Sequence, residues 1–286
     1  WPPLPGTLSP SFALGNLYQF QGGLEEGGDY SVHRMTLEGG VLWTTTETLS
    51  FAATVKAKFD TYSFDGESSF APASGPAPWE RSTTLSLSLS SRIQLEKEWE
   101  LFFATSGKWA GENDTLFDDA FSFGIVAGAS KKLSDSLTVG AGLFFSDRLE
   151  KDPLVIPAPM VRWKISEKVT LSNFRGPAGS PINAGLECIY AFDRSKKLSL
   201  GFGYESHRFR LDQKGPINCR GGIGSERSFP IWIRFEWKPI PPIQLNVLGG
   251  VTFGGELDLE NSSGESLVQT EIDPAPFLAF FAGIRF

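Results

Sequence analysis

Apolar and polar residues alternate with a period of two through most of the chain, and this constrains the fold more than any other feature. In TTLSLSLSS (83–91), Leu85, Leu87 and Leu89 fall on one face, with Thr84, Ser86, Ser88 and Ser90 on the other. A helix would scatter those leucines around its circumference, whereas a strand aligns them. TLSFAATVKAKFD sets Leu49, Phe51, Ala53, Val55, Ala57 and Phe59 against Ser50, Ala52, Thr54, Lys56, Lys58 and Asp60. FSFGIVAGAS, SLTVGAGLFF and FPIWIRFEW follow the same rule. The 24 Phe, 8 Trp and 31 Gly suit a chain of strands and turns.

The breaks between these runs differ in length. Short ones lie near 44–47, 92–98, 134–136, 166–168, 193–197 and 238–243. Longer ones, rich in Gly, Pro, Asp and Ser, lie near 21–29, 63–80, 107–119, 147–157, 212–226 and 257–274, and a Gly/Pro break lies at 176–181. Short turns on one side and long loops on the other are the pattern of an outer-membrane barrel. The runs predict fourteen strands, beginning near residues 8, 30, 48, 82, 98, 120, 136, 158, 168, 182, 197, 227, 243 and 275. The eighth and ninth are short, and without them the count is twelve. The expected fold is an all-β, transmembrane, antiparallel up-and-down barrel, with residues 1–286 as one domain and both ends periplasmic.

Mean hydropathy is −0.12. No run of ~18 apolar residues occurs, so a transmembrane helix is excluded, but alternation hides a barrel from such a window. The start, WPPLPGTLSP, has no basic and apolar leader, which is expected of a mature chain whose signal peptide has been removed. The net charge of −7 and scattered Lys/Arg exclude a nucleic-acid footprint. Cys188 and Cys219 show no metal-ligand spacing, and a bridge between a mid-strand and a loop cysteine is not expected.

Four tryptophans point the same way. Trp43, Trp99, Trp163 and Trp237 each stand beside a short turn, on the apolar parity of their strands. Indole favours the headgroup level, ring in hydrocarbon and N–H near water. A soluble β-sandwich also alternates, but its outward parity would carry a dense solvated surface. Here that parity is mostly Gly, Ser, Ala and Thr with isolated charges.

The chain ends in FLAFFAGIRF. Leu278, Phe280, Ala282, Ile284 and Phe286 share one face. This ending resembles the C-terminal assembly signal of Gram-negative outer-membrane β-barrel proteins. The resemblance implies insertion by the barrel-assembly machinery, outer-membrane lipid as the surroundings, and Phe286 at the same interface as the tryptophans. The GFGYESHRFRLD segment and the closing hairpin resemble an uncharacterised outer-membrane barrel family, which implies location and fold but no activity.

With the apolar parity toward lipid, the lumen receives Arg34, Glu38, Lys56, Lys58, Asp60, Glu100, Arg162, Lys164, Glu187, Glu205, His207, Arg234, Glu236 and Arg285. Two readings follow. Charges of both signs can set the preference of a pore, or they can pair and fill a narrow barrel. Loop 63–80 could fold inward. Catalysis is not expected: only His33 and His207 are available, and adjacent Ser206 and His207 point to opposite faces of a strand. DDAF and DLENSSGE lack the ligand spacing of a calcium loop, and the glycine pairs in GFGYES and GAGLFF precede no helix, so neither a metal nor a cofactor is expected. The functional expectation is a narrow passive channel for small polar solutes or ions. The alternative is a closed barrel anchoring or scaffolding a partner protein, with its outer loops as the binding surface.

Overall fold

The computed structural model describes residues 5–286 except 26, 69, 71–76, 96–97, 113–114, 176–179, 181, 183 and 215–218. Its strands are Thr7–Gly23 (β1), Asp29–Thr44 (β2), Leu49–Asp65 (β3), Arg81–Gln94 (β4), Trp99–Gly111 (β5), Phe121–Lys132 (β6), Leu137–Arg148 (β7), Lys151–Lys164 (β8), Val169–Arg175 (β9), Ala184–Ala191 (β10), Lys196–Arg210 (β11), Ile223–Trp237 (β12), Ile243–Glu260 (β13), Ser266–Ile272 (β14) and Ala275–Arg285 (β15). One helical turn, Phe117–Ala120 (α1), precedes β6.

Every neighbouring pair along the wall is antiparallel, and β1 closes on β15 from Ser11↔Arg285 to Gln19↔Phe277. β14 and β15 both lie on the same side of β13 and form one broken stave, so the closed wall has fourteen. The lipid parity is exposed: Leu85, Leu87 and Leu89 each keep about half of their surface. No core would leave them so, whereas hydrocarbon accepts them.

Four of the six turns on the side of the termini share a local design. In each, one side-chain oxygen accepts the backbone N–H groups two and three residues on, which closes the turn without another strand. Thr46 binds the N–H of Thr48 and Leu49, Ser134 those of Ser136 and Leu137, Ser166 those of Lys168 and Val169. Asp193 does the same for Ser195 and Lys196, at 2.7 and 2.8 Å.

The other side departs from expectation. The loop expected at 147–157 is a two-residue turn, Leu149 and Glu150, and β8 begins at 151 rather than 158. The loop expected at 257–274 shrinks to 261–265, because β13 runs on to Glu260 and β14 pairs with it. The break at 21–29 narrows to 24–28. Prolines and acidic residues read as loop in sequence, but strands extending beyond the bilayer into water tolerate both. Residues 176–179 and 181 of the Gly/Pro break at 176–181, and part of 63–80, lie outside the described residues. Cys188 is exposed on β10 and Cys219 is buried, both as free thiols.

The outer end is filled by an apolar cluster that includes Tyr30, Val32, Tyr62, Phe70, Trp79, Phe209, Leu211 and Leu257. Phe70 and Trp79, two described residues of the β3–β4 loop, are buried in it. Tyr62 of β3 stacks on Phe209 of β11, with centroids 5.8 Å apart. There β5 and β11, which are not neighbours along the wall, pair directly through Gly111 and Arg210. The Glu112 N–H donates to the Arg210 carbonyl, and the Asp212 N–H to Glu112 Oε2.

Candidate functional site

The lumen is the site, and it has three levels. The periplasmic level is an open vestibule of about 860 Å³, lined among others by Glu100, Lys132, Arg162, Glu187, Arg234 and Glu236. On its rim the Arg234 guanidinium spans Glu187 through Nε (2.8 Å) and Nη2 (2.6 Å). Its Nη1 reaches Glu236 at 3.2 Å and Asn246 at 3.0 Å. Trp232, which alternation also turns inward, donates Nε1–H to Glu187 at 3.0 Å. This indole needs glycine beneath it: a Cβ on Gly201 would come within 2.4 Å of the ring. Gly201 of GFGYES, with Gly185 of β10, where a Cβ would come within 2.9 Å of the ring, is therefore a bed for a lumen tryptophan.

The middle level is narrow. Its cavities measure about 150 Å³ beside Lys56, Lys58 and Lys108, and about 30 Å³ beside Arg34 and Ile182. Charges meet here across the barrel. Arg34 of β2 pairs with Glu226 of β12, and its Nη1 lies 3.6 Å from Asp60. Lys58 contacts Asp60 at 2.9 Å and donates to His207 Nδ1 at 2.8 Å. His207 Nε2 lies 3.5 Å from Glu205. Buried groups of both signs in contact neutralise one another, as groups out of bulk water must. Ser180 and Ile182, between β9 and β10, lie at this level: Lys56 Nζ donates to the Ser180 carbonyl at 2.7 Å, and Ile182 packs against Leu17, Trp232, Leu248 and Phe277.

The outer level is the apolar cluster, with a second set of pairs around it. Arg208 binds Glu260, Arg210 binds Glu150 at 2.5 Å, and Lys151 reaches Glu260 at 2.7 Å. These tie the β7–β8 turn to β11 and β13.

Of the residues read from sequence as lumen-lining, Arg34, Lys58, Glu187, Glu205, Arg234 and Glu236 are buried inside the barrel. Glu38 and Lys56 stand opposite one another in register on β2 and β3. Glu100 and Arg162 line the vestibule, while Lys164 and Arg285 are exposed at its periplasmic edge. The structure brings the mid-lumen charges together but leaves Glu100, Arg162 and Arg285 apart from them. Trp43, Trp99, Trp163 and Trp237 are each 40–46% exposed, next to the short turns. Lys131 lies over the Trp99 ring at 5.3 Å. Leu278, Phe280 and Phe286 face outward, and Ala282 and Ile284 are half-buried against neighbouring strands. His33 is exposed and bonds Asn16 at 2.8 Å. Glu226 and Ser180 escaped sequence reading because both lie in segments read as loop, and Ile182 because it was read as the start of the tenth strand.

The sequence matches the model of a family described as a domain of unknown function (DUF6268) over residues 79–286, well over half of the chain. No curated protein matches the sequence. Among solved structures, the COG4313 outer membrane channel from Pseudomonas putida F1 is 12% identical, with 99% of this chain and 96% of that chain covered and a TM-score of 0.55. The toluene transporter TodX of P. putida is 7% identical, with 99% and 91% covered and a TM-score of 0.49. The translocator domain of the autotransporter NalP from Neisseria meningitidis is 13% identical, with 98% and 88% covered and a TM-score of 0.40. What is shared with the first of these is the fold, that of a bacterial outer-membrane barrel. The chain is an outer-membrane β-barrel and belongs to the DUF6268 family.

Proposed function

We propose that this barrel is a narrow passive channel for small polar solutes or ions, closed at its middle and outer levels in the conformation described. The observation that carries the reading is the vestibule of about 860 Å³, lined by charges of both signs and leading to the paired middle layer. A barrel that only anchored something would not need a wide polar cavity on one side. The fold shared with a protein named as an outer membrane channel adds support. A non-enzymatic role fits the histidines: His33 bonds Asn16 on the outer surface, and His207 is held between the Lys58 amine and the Glu205 carboxylate. In this reading the surroundings are outer-membrane lipid and insertion uses the barrel-assembly machinery.

The pairs that cross the lumen favour a second reading, a closed barrel that anchors or scaffolds a partner protein. Vesicle swelling separates the two. Proteoliposomes placed in isotonic arabinose, glucose or raffinose should swell, fastest with the smallest sugar. If properly folded protein gives no swelling above empty vesicles, and Arg34→Ala gives none either, the scaffold reading replaces the channel.

A further inference from the structure

The cavity of about 150 Å³ at the middle level has a wall rich in hydrogen-bond donors. Lys58 of β3, Thr84 and Ser86 of β4 and Lys108 of β5 line one side, and Arg208 of β11 lies across the lumen. The register explains the grouping: Lys58 stands opposite Thr84, and Ser86 stands opposite Lys108. All four of these wall residues share the lumen parity, which alternation fixes strand by strand.

Most charges of this level are already met. Asp60 is the one carboxylate among the described residues that line the cavity, and it is taken by Lys58 at 2.9 Å, with Arg34 Nη1 at 3.6 Å. Lys56 lies in the field of Glu38 and Glu205, and Arg208 binds Glu260. Lys108 has no such counterpart. Among the described residues it makes no hydrogen bond or ion pair, and the charged group that acts on it is the Arg208 guanidinium, another cation. The Thr84 and Ser86 hydroxyls likewise make no hydrogen bond among the described residues. Lys58 gives two of its three N–H groups to Asp60 and His207, which leaves one.

A cation enclosed away from bulk water is costly unless an opposite charge meets it. Here three strands converge an ammonium, a spare ammonium N–H and two hydroxyls on one cavity, with their nearest carboxylate already engaged. Such a donor set calls for an acceptor that carries negative charge and several lone pairs. A small tetrahedral oxyanion answers to both, because its oxygens accept from different strands at once and each lysine bond is charge-assisted. The volume is several-fold what one water requires, so an ion of this size fits.

We propose that this cavity is a binding site for a small inorganic oxyanion, represented by phosphate, held by Lys108, Lys58 and the hydroxyls of Thr84 and Ser86. The site deepens the channel reading, on which the anion's route through the lumen rests, by naming the class of solute held at the constriction.

Calorimetry on the folded barrel in dodecyl maltoside tests it, with sodium phosphate titrated into sodium gluconate buffer at constant ionic strength. The wild type should bind phosphate saturably, one per barrel. Lys108→Met removes the charge at nearly constant volume and should weaken binding about tenfold or more, the worth of one charge-assisted hydrogen bond. Thr84→Val should weaken it a few-fold, and together with Ser86→Ala it carries the test if Lys108→Met loses the heat-modifiable mobility of a folded barrel. Lys196→Gln, an equal change of charge at the exposed periplasmic end of β11, should leave the affinity as it is. The site is overturned by a wild type that binds no phosphate, by wild-type affinity in the folded cavity variants, or by an equal loss in Lys196→Gln. Displacement of phosphate by equimolar chloride overturns the oxyanion assignment. Calorimetry reads the site whether or not the lumen conducts, and swelling in arabinose reads the channel, so either can fail while the other stands.

Discussion

Lys58 on β3 donates to His207 Nδ1 on β11 at 2.8 Å, although the two strands are six steps apart along the shorter arc of the wall. A round barrel of fourteen strands, ~4.8 Å apart and tilted ~40°, would be roughly 28 Å across. Two side chains cannot bridge that span, so the barrel is flattened at its middle level and opposite walls meet. This contact, with Arg34–Glu226, makes the constriction.

Removing one member of the crossing set leaves the others buried without their counter-charge. Arg34→Ala should destabilise the barrel by about 3 kcal/mol, as for a broken buried pair. Arg34→Ala combined with Glu226→Ala should recover part of the loss. Urea unfolding in lipid vesicles, followed by tryptophan fluorescence, measures the cycle; additive single effects would mean that the two groups do not interact.

The two faces of β4 should differ sharply in what they tolerate. Leu87 is half exposed on the lipid parity, near the middle of its strand. Leu87→Arg should cost ~2–4 kcal/mol, the range for a cation at the bilayer midplane. Ser88→Arg, one residue on and turned to the lumen, should cost much less. The same unfolding assay compares them, and equal costs would mean that the faces are misassigned.

The lumen plug gives a third expectation. Ile182 is buried among Leu17, Trp232, Leu248 and Phe277, so Ile182→Gly removes an apolar side chain from the narrow middle of the lumen. Solute entry should rise, while an exposed change such as Leu278→Val leaves it alone. Swelling rates in arabinose check this.

A periplasmic turn should titrate. The Ser195 hydroxyl, then the Ser195 and Lys196 N–H groups, hold the Asp193 carboxyl below the usual carboxylate range. Because the folded value is depressed, the turn is favoured above the unfolded value near ~3.9 and weakens as pH falls through the folded one. A carboxyl-carbon NMR titration should place the midpoint below that of an Asp model peptide, and a midpoint at or above it would contradict the turn geometry.

The wall was legible in sequence because alternation is a local property: Leu85, Leu87 and Leu89 state their face without reference to any other strand. The lumen charges were legible as a set for the same reason. Their pairing was not, since Arg34 meets Glu226 only after the chain has travelled round the barrel, and no local spacing records that. The β8 start was misread because Pro153, Pro157 and Pro159 look like loop; on an edge strand a proline costs no ladder bond. β14 was missed because Asp273 and Pro274 interrupt a stave that continues on either side of them.

The central claim is that the lumen conducts, and single-channel recording in planar bilayers tests it most directly. The wild-type barrel should give small, discrete conductance steps, and Arg34→Ala, which removes the crossing guanidinium, should give larger ones. Folded protein that produces no steps in either form would contradict the account.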